Sequence, residues 1–361
     1  MQGWAARAAL PVFPWDQLVP YGDTARAHAD GIVDLSIGTP VDPTPAVVQE
    51  ALRAASDAPG YPLTIGTPAL RDAIVEWTGR RLGASVTHAN VVPSIGSKEL
   101  VSLITVLLGI TGKQVLIPSL AYPTYDVGAR LAGCEPVPTD DPTAHDPSEV
   151  GLVWLNSPSN PTGRVQSAAE LQVVVDWARQ HGILVVSDEC YLELGWEADP
   201  VSVLAQGDPT GVVALHSLSK RSNLAGYRSG FAVGDPTAIA LITEARKHIG
   251  LLPPAPVQAA TVAALRDDAH VLQQKETYRL RREQLKTAVE KAGFRIEHSE
   301  AGLYLWCTRD EDCWQTVAWL AERGILAAPG AFYGEAGKQH VRMALTATDE
   351  RITAAAARLA T

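Results

Sequence analysis

The sequence predicts an α/β fold: a mostly parallel sheet covered by helices on both faces, followed by a smaller α+β C-terminal domain. Three observations lead there. Between about residues 90 and 248, short apolar runs alternate with helical spacing, as in parallel strands joined by helical crossovers. Past the proline cluster Pro253-Pro254-Ala255-Pro256 the alternation gives way to one long polar helix and a few short strands. The 361 residues also exceed what one core usually serves, so two domains are expected.

In chain order, residues 1–38 read as an arm. Its prolines (Pro11, Pro14, Pro20) and aromatics (Trp4, Phe13, Trp15) suit docking on the small domain or on a partner subunit better than disorder. Residues 39–249 form the large domain and 250–361 the small one. Helices are expected at 45–56 and 68–82, each opening on a proline, and the loop between them carries Tyr61. Strand candidates follow at 91–95, 114–118, 151–156, 183–188, 212–216 and 231–233. Helices at 98–108, 124–132, 168–181 and 236–248 lie between or beside them. The small domain should hold a helix at 270–292, strands at 294–297, 303–307 and 340–345, and helices at 314–323 and 349–359.

Composition narrows the function classes. Thirty basic against forty acidic residues leave a net charge of −10, spread along the chain, which argues against nucleic acid. No apolar run reaches membrane-spanning length, and the N-terminus lacks the pattern of a signal peptide. Cys134, Cys190, Cys307 and Cys313 lie far apart without metal-ligand spacing. They read as reduced, packed thiols of a cytoplasmic protein.

In a mostly parallel sheet, ligands bind beyond the carboxyl ends of the strands, which directs attention to the loops at Gly96, Tyr122, Asn156, Asp188 and Ser217. After the 212–216 run comes Ser217-Leu218-Ser219-Lys220, with Arg228 eight residues beyond the lysine. An amine in apolar surroundings loses its proton more readily, and a neutral lysine can form a Schiff base with a carbonyl. Taken alone, the segment reads as a strand end with two solvated bases. The turn Gly96-Ser97-Lys98 offers free backbone N–H groups at a helix start, suited to phosphate; alone it is an ordinary N-cap. Tyr122, just past a strand, suits stacking on a flat ring or plain loop packing. Asn156-Ser157-Pro158-Ser159-Asn160-Pro161-Thr162-Gly163 fixes a rigid turn that can aim an amide into a cleft. Asp188 ends a buried strand, where a carboxylate needs a partner such as a protonated pyridine nitrogen, an N–H group or a cation. Arg342, in an apolar strand, suits a bidentate carboxylate clamp or a plain surface position.

Taken in this order and spacing, the motifs resemble the class I/II aminotransferases of fold type I, which use pyridoxal 5′-phosphate. The resemblance implies a seven-stranded sheet in the large domain, a homodimer with shared active sites, and small amino- and keto-acid substrates. It places Lys220 at the Schiff-base lysine and Asp188 at the partner of the pyridine nitrogen. Asn160 and Tyr191 fall at the donors to the ring's phenolate oxygen, and Tyr122 at the stacking aromatic. Gly96, Ser97, Lys98, Ser217 and Arg228 fall at the phosphate cup, and Tyr61 at a tyrosine that reaches the neighbouring subunit's phosphate. Arg342 and Asn160 face the substrate carboxylate, with Gly38 at a flexible substrate-side glycine. Lys220, Asp188 and Tyr191 are the catalytic set.

The 30–43 stretch, the Asn-Pro-Thr-Gly turn, residues 188–196 and residues 321–330 further resemble actinobacterial N-succinyldiaminopimelate aminotransferases. That resemblance implies amino exchange between glutamate and N-succinyl-2-amino-6-oxopimelate in lysine biosynthesis. An aminotransferase for another amino acid and a C–S β-lyase are the alternatives. An effector domain of a transcription regulator fits poorly, for want of a helix-turn-helix and a basic face. Arg26, Arg71, Arg246 and Lys247 are candidates for a distal carboxylate.

Overall fold

The computed structural model describes residues 10, 11 and 13–360; Trp4 of the arm lies outside them. The apolar runs become the centre of a seven-stranded sheet. Its order is Val91–Ile95, Ser229–Gly234, Val212–Ser217, Leu184–Asp188, Val150–Asn156, Gln114–Ile117, Glu135–Pro138. Ser229–Gly234 runs antiparallel to both of its neighbours and every other pairing is parallel. Strands buried on both faces need no polar alternation, which is why Val212–Ser217 is buried throughout. The edge strand Glu135–Pro138 has no counterpart among the sequence expectations. Its two prolines lack the N–H of a central strand, and an edge position tolerates them.

Helices cover both faces. On one side Trp77, Leu171, Val175 and Phe231 pack together; on the other Ile104, Tyr125, Trp154 and Ile242 do so. Local chemistry sets the helix starts. Thr67 accepts a hydrogen bond from Leu70 N–H ahead of Pro68–Leu82, and Ser167 and Glu170 cap Ala168–Gln180 reciprocally. A helix at Ala255–Arg266, not expected from the sequence, begins inside the proline cluster with Pro256 in its first turn. It packs on Ala46–Ala54 and Pro68–Leu82 and adds Ala260, Ala264 and Leu265 to the core beneath the large sheet.

The smaller C-terminal part is an antiparallel sheet ordered Ala328–Pro329, His340–Ala344, Tyr304–Thr308, Arg295–Ile296. Helices Ala269–Lys291, Cys313–Glu322 and Asp349–Leu359 contribute to its core. The arm joins this part. Val33–Asp34 pairs in parallel with Ile325–Leu326, and Tyr21 stacks on Trp314 with ring centroids 5.4 Å apart. Arg281 of the long helix forks onto Asp42 at 2.6 and 2.7 Å and reaches Asp349 at 2.6 Å, tying three segments together. All four cysteines are free. Among the described residues, no helix is long and apolar enough to cross a membrane.

Leu305 is fully buried whereas Leu280 is 54% exposed. Leu305→Ala should therefore cost about 2–5 kcal/mol in denaturant unfolding, and Leu280→Ala no more than about 0.5 kcal/mol. Equal losses would contradict this packing.

Candidate active site

The carboxyl ends of the central strands open into a cleft of about 910 Å³, closed on its far side by residues of the arm and the small domain. Gly96, at φ +71°, lets the chain turn sharply from Val91–Ile95 into the helix Ser97–Leu107. A Cβ there would run into the Arg228 guanidinium, and one on Gly230 would stand 2.8 Å from Ser97 N. Glu99 steadies this turn: its carboxylate accepts from Ile95 N–H at 2.7 Å and pairs with the fully buried Arg246 at 2.6 Å. Arg246 is thus a support of the turn. Of the other distal-carboxylate candidates, Lys247 pairs with Glu244 and Arg26 with Asp23 at the surface. None of these, nor Arg71, lines the cleft; Lys98 and Arg130 do.

Ser217 caps the short helix Leu218–Arg221, its Oγ accepting from Ser219 N–H at 3.2 Å. The cap aims Ser219 and Lys220 into the cleft beside Arg228. Lys220 Nζ donates to the Gly38 carbonyl, and a Cβ on Gly38 would run into the Tyr304 hydroxyl. The strand ends fix the rest. Asn156 and Asp188 are register partners, and the Asn156 amide donates to the Asp188 carbonyl at 2.9 Å. Its oxygen accepts from Asn160 N–H at 2.7 Å, which shapes the Ser157–Gly163 turn. Asp188 is buried, accepts from Tyr125 Oη at 3.0 Å and from Cys190 N–H at 3.3 Å, and has no cationic partner among the described residues. Burial raises its pKa above the ordinary aspartate value, against the hydrogen bonds from Cys190 and Tyr125.

On the opposite wall, Arg342 Nη1 donates to Asn160 Oδ1 at 2.8 Å and Nη2 to the Ser36 carbonyl at 2.7 Å. The guanidinium lies 3.8 Å from the Tyr304 ring centroid, while its buried Nε lacks a partner. Arg342 is 2% exposed and meets no carboxylate among the described residues, so an incoming anion is its natural complement. Tyr191 and Tyr304 share a hydrogen bond of 3.0 Å, and burial followed by the neighbouring Tyr304 phenol pushes the Tyr191 hydroxyl pKa up. Tyr122 stands half-buried in the cleft, with Lys98 Nζ 5.8 Å from its ring centroid. Tyr61, like the four distal-carboxylate candidates, does not line this cleft, and it is 96% exposed. Tyr125, Tyr304 and Ser219 are contributors the sequence did not reveal. The contacts of Tyr125 and Tyr304 cross 63 and 113 positions, whereas Ser219 lies inside the Ser217–Lys220 motif and was not singled out there.

The sequence profile of the family described as aminotransferase class I and II matches residues 30–359. The chain belongs to the class I and II aminotransferases. It is 58% identical over 355 residues to the 4-dedimethylamino-4-oxo-anhydrotetracycline transaminase OxyQ of Streptomyces rimosus, covering 97% of this chain and 99% of that one. It is also 58% identical over 358 residues to the probable aminotransferase Rv1178 of Mycobacterium tuberculosis, covering 98% and 86%. Among solved structures, a probable N-succinyldiaminopimelate aminotransferase from Thermus thermophilus superposes with a TM-score of 0.88 at 29% identity, covering 96% of this chain and 99% of that one.

Aminotransferases of this family depend on pyridoxal 5′-phosphate, and the cleft fits it. The Gly96 turn with Arg228, Ser217 and Ser219 offers a helix N-terminus, a guanidinium without a carboxylate partner among the described residues, and hydroxyls for a phosphate. Asp188 lacks the cation that a protonated pyridine nitrogen supplies. Among the described residues, no cluster of histidine, cysteine or acidic side chains can hold a metal.

Gly96→Ala would force a side chain into the left-handed region and into Arg228, at about 1–3 kcal/mol. Affinity for the cofactor should fall roughly tenfold or more, read by absorbance titration of the apoprotein. Unchanged affinity would contradict the phosphate site.

Proposed function

We propose that the chain transfers an amino group from L-glutamate to N-succinyl-2-amino-6-oxopimelate, as a succinyldiaminopimelate transaminase of lysine biosynthesis. The observation that carries amino transfer is the position of Lys220, held at Gly38 between the Asp188 wall and the uncompensated Arg342. Bound pyridoxal 5′-phosphate supplies a ring that takes up the electron pair left when the Cα–H bond breaks. The chain's residues do the rest. Gly96, Ser97, Lys98, Ser217 and Arg228 hold the phosphate, and Tyr122 covers the ring. Asp188 keeps the ring nitrogen protonated, because a buried carboxylate gains most from an adjacent positive charge. Asn160 and Tyr191 hydrogen-bond the phenolate oxygen. With Asn160 Oδ1 taken by Arg342, Nδ2 is the donor left for it. Arg342 grips the α-carboxylate, which stands the Cα–H bond over the ring face. Lys220 would anchor the cofactor covalently and, once a substrate amine has taken its place there, its freed amine would accept and return the proton at the substrate Cα as general base and acid.

Several features support a substrate with a second anionic end. Arg130 lines the cleft and is assigned to neither the cofactor nor the α-carboxylate; its partner is Asp126, at 2.8 Å and partly exposed. The sequence resemblance and the similar Thermus structure point the same way. The exposed Tyr61 and Leu63 (96% and 64%) suit a homodimer in which Tyr61 reaches the partner's phosphate site. A polycyclic ketone acceptor is a second reading. It is favoured by the similarity to OxyQ and by an apolar mouth where Trp15 and Phe332 pack at 5.4 Å.

Glutamate-dependent amination of the succinylated aldehyde, of the unsuccinylated one and of a tetracycline-type ketone should be assayed side by side. The succinylated substrate should win; preference for the ketone would support the second reading, and preference for the unsuccinylated aldehyde would sink both. Pyruvate and ammonia released from cystathionine without an acceptor would mark a lyase. Arg342→Ala should lower kcat/KM by roughly 10- to 150-fold, the value of one charge-assisted interaction. Unchanged kcat/KM would remove Arg342 from the carboxylate site.

A further inference from the structure

The side chains of Asp188 and Glu189 go to opposite sides of the sheet. Glu189 N–H donates to the Leu215 carbonyl at 2.9 Å, carrying the ladder one residue past Asp188, and side chains along a strand alternate in direction. Asp188 lines the cofactor cleft; Glu189 lines a separate cavity of about 10 Å³ behind it. On the next strand His216 lines the same cavity, and Ser217 borders both it and the cofactor cleft. A polar cell thus lies behind the cofactor face, walled by Trp77 and Phe231.

The cell is far from neutral filler. Glu189 is 2% exposed and His216 4%. Glu189 Oε1 accepts from Ser187 Oγ at 3.0 Å and from Val203 N–H at 2.8 Å, whereas Oε2 has no partner. His216 Nε2 lies 3.6 Å from Oε2 and is equally unpartnered. Two buried orphan polar atoms side by side are costly unless a proton lies between them, directly or through the single water such a cavity accommodates.

We propose that Glu189 and His216 hold one proton between them behind the sheet, and that this proton sets the charge felt across the strand by Asp188 and the cofactor ring. The proton resides on Glu189. The groups facing the pair decide this. Arg221 stands beside His216 and, paired with Glu193, brings a fixed positive charge that opposes an imidazolium. Glu193 is itself engaged by Arg81 at 3.0 Å, so it offers little to His216. Ser187 and Val203 satisfy one Glu189 oxygen, and Asp188 opposes a second negative charge. Burial, against those hydrogen bonds and with Asp188 adding to it, raises the Glu189 pKa to about 7; burial and then Arg221 lower that of His216 to about 3. Both directions leave the pair neutral between about pH 3 and about pH 7, above which Glu189 ionises. Glu189 and His216 are positioning residues, acting through Asp188.

The sign for stability follows. A carboxyl with a folded value above its unfolded 4.5 binds more protons when folded, so stability falls as pH rises from about 4.5 to about 7. Glu189→Gln, a mimic of the protonated acid, should abolish that slope. In the wild-type holoenzyme labelled with 13C at glutamate carboxyls, one resonance should titrate near pH 7 and be missing from Glu189→Gln. All glutamate resonances titrating below about pH 6 would overturn the proposal, and this measurement needs no variant to fold. The pH midpoint of the bound cofactor's visible band should be lower in Glu189→Gln by roughly one unit, because ionised Glu189 no longer favours the protonated cofactor. Coincident midpoints would overturn the coupling to Asp188.

Discussion

A buried carboxylate without a cation is the constraint on which this site depends. Asp188 sits at the end of a central strand among apolar side chains, where an unpaired charge is disfavoured. Among the described residues no lysine or arginine relieves it; Tyr125 and the Cys190 backbone give hydrogen bonds only. In the proposed reading, a ligand with a protonated ring nitrogen would complete the arrangement. Across the cleft Arg342 poses the converse problem, a buried cation without an anion, and the α-carboxylate of a substrate answers it. On this reading cofactor and substrate would each be drawn by a charge left uncompensated among the described residues, and Lys220 lies between the two.

The sheet makes this geometry possible. Parallel strands end at a common edge, so Asn156 and Asp188, far apart in sequence, come together as register partners, and Ser217 follows two residues past Leu215, the partner of Asp188 on the next strand. Rigidity comes from backbone-directed bonds: the Asn156 amide binds strand end and turn alike, and Glu99 ties the Gly96 turn to Arg246. The small domain brings Arg342 and Tyr304 on adjacent antiparallel strands, and the arm joins it through Val33–Asp34. Gly38, just beyond that pairing, can thus meet both Lys220 and Tyr304.

Much of this was legible in the sequence because buried strands announce themselves as apolar runs and strand ends as abrupt polar spelling. The central strands and the residues Lys220, Asp188, Asn160 and Arg342 were found this way, with roles supplied by the family resemblance. What stayed hidden depends on tertiary context. Glu135–Pro138 is a strand only because an edge forgives its prolines, and Ala255–Arg266 is a helix despite opening in a proline cluster. Tyr125 and Tyr304 acquire significance from partners distant in sequence. Arg246, a candidate for substrate recognition by charge alone, is committed to Glu99 in the core. One charged residue cannot reveal from sequence whether its counter-ion is a substrate or a neighbour in the fold.

The central claim is that Lys220 carries the proton at the substrate Cα between Asp188 and Arg342. The direct measurement is exchange of the glutamate Cα hydrogen with deuterium from solvent, followed by NMR for the wild type and for Lys220→Ala. The account predicts rapid exchange in the wild type, none above background in the variant, and partial recovery when a small primary amine is added. Exchange in Lys220→Ala at the wild-type rate would contradict it.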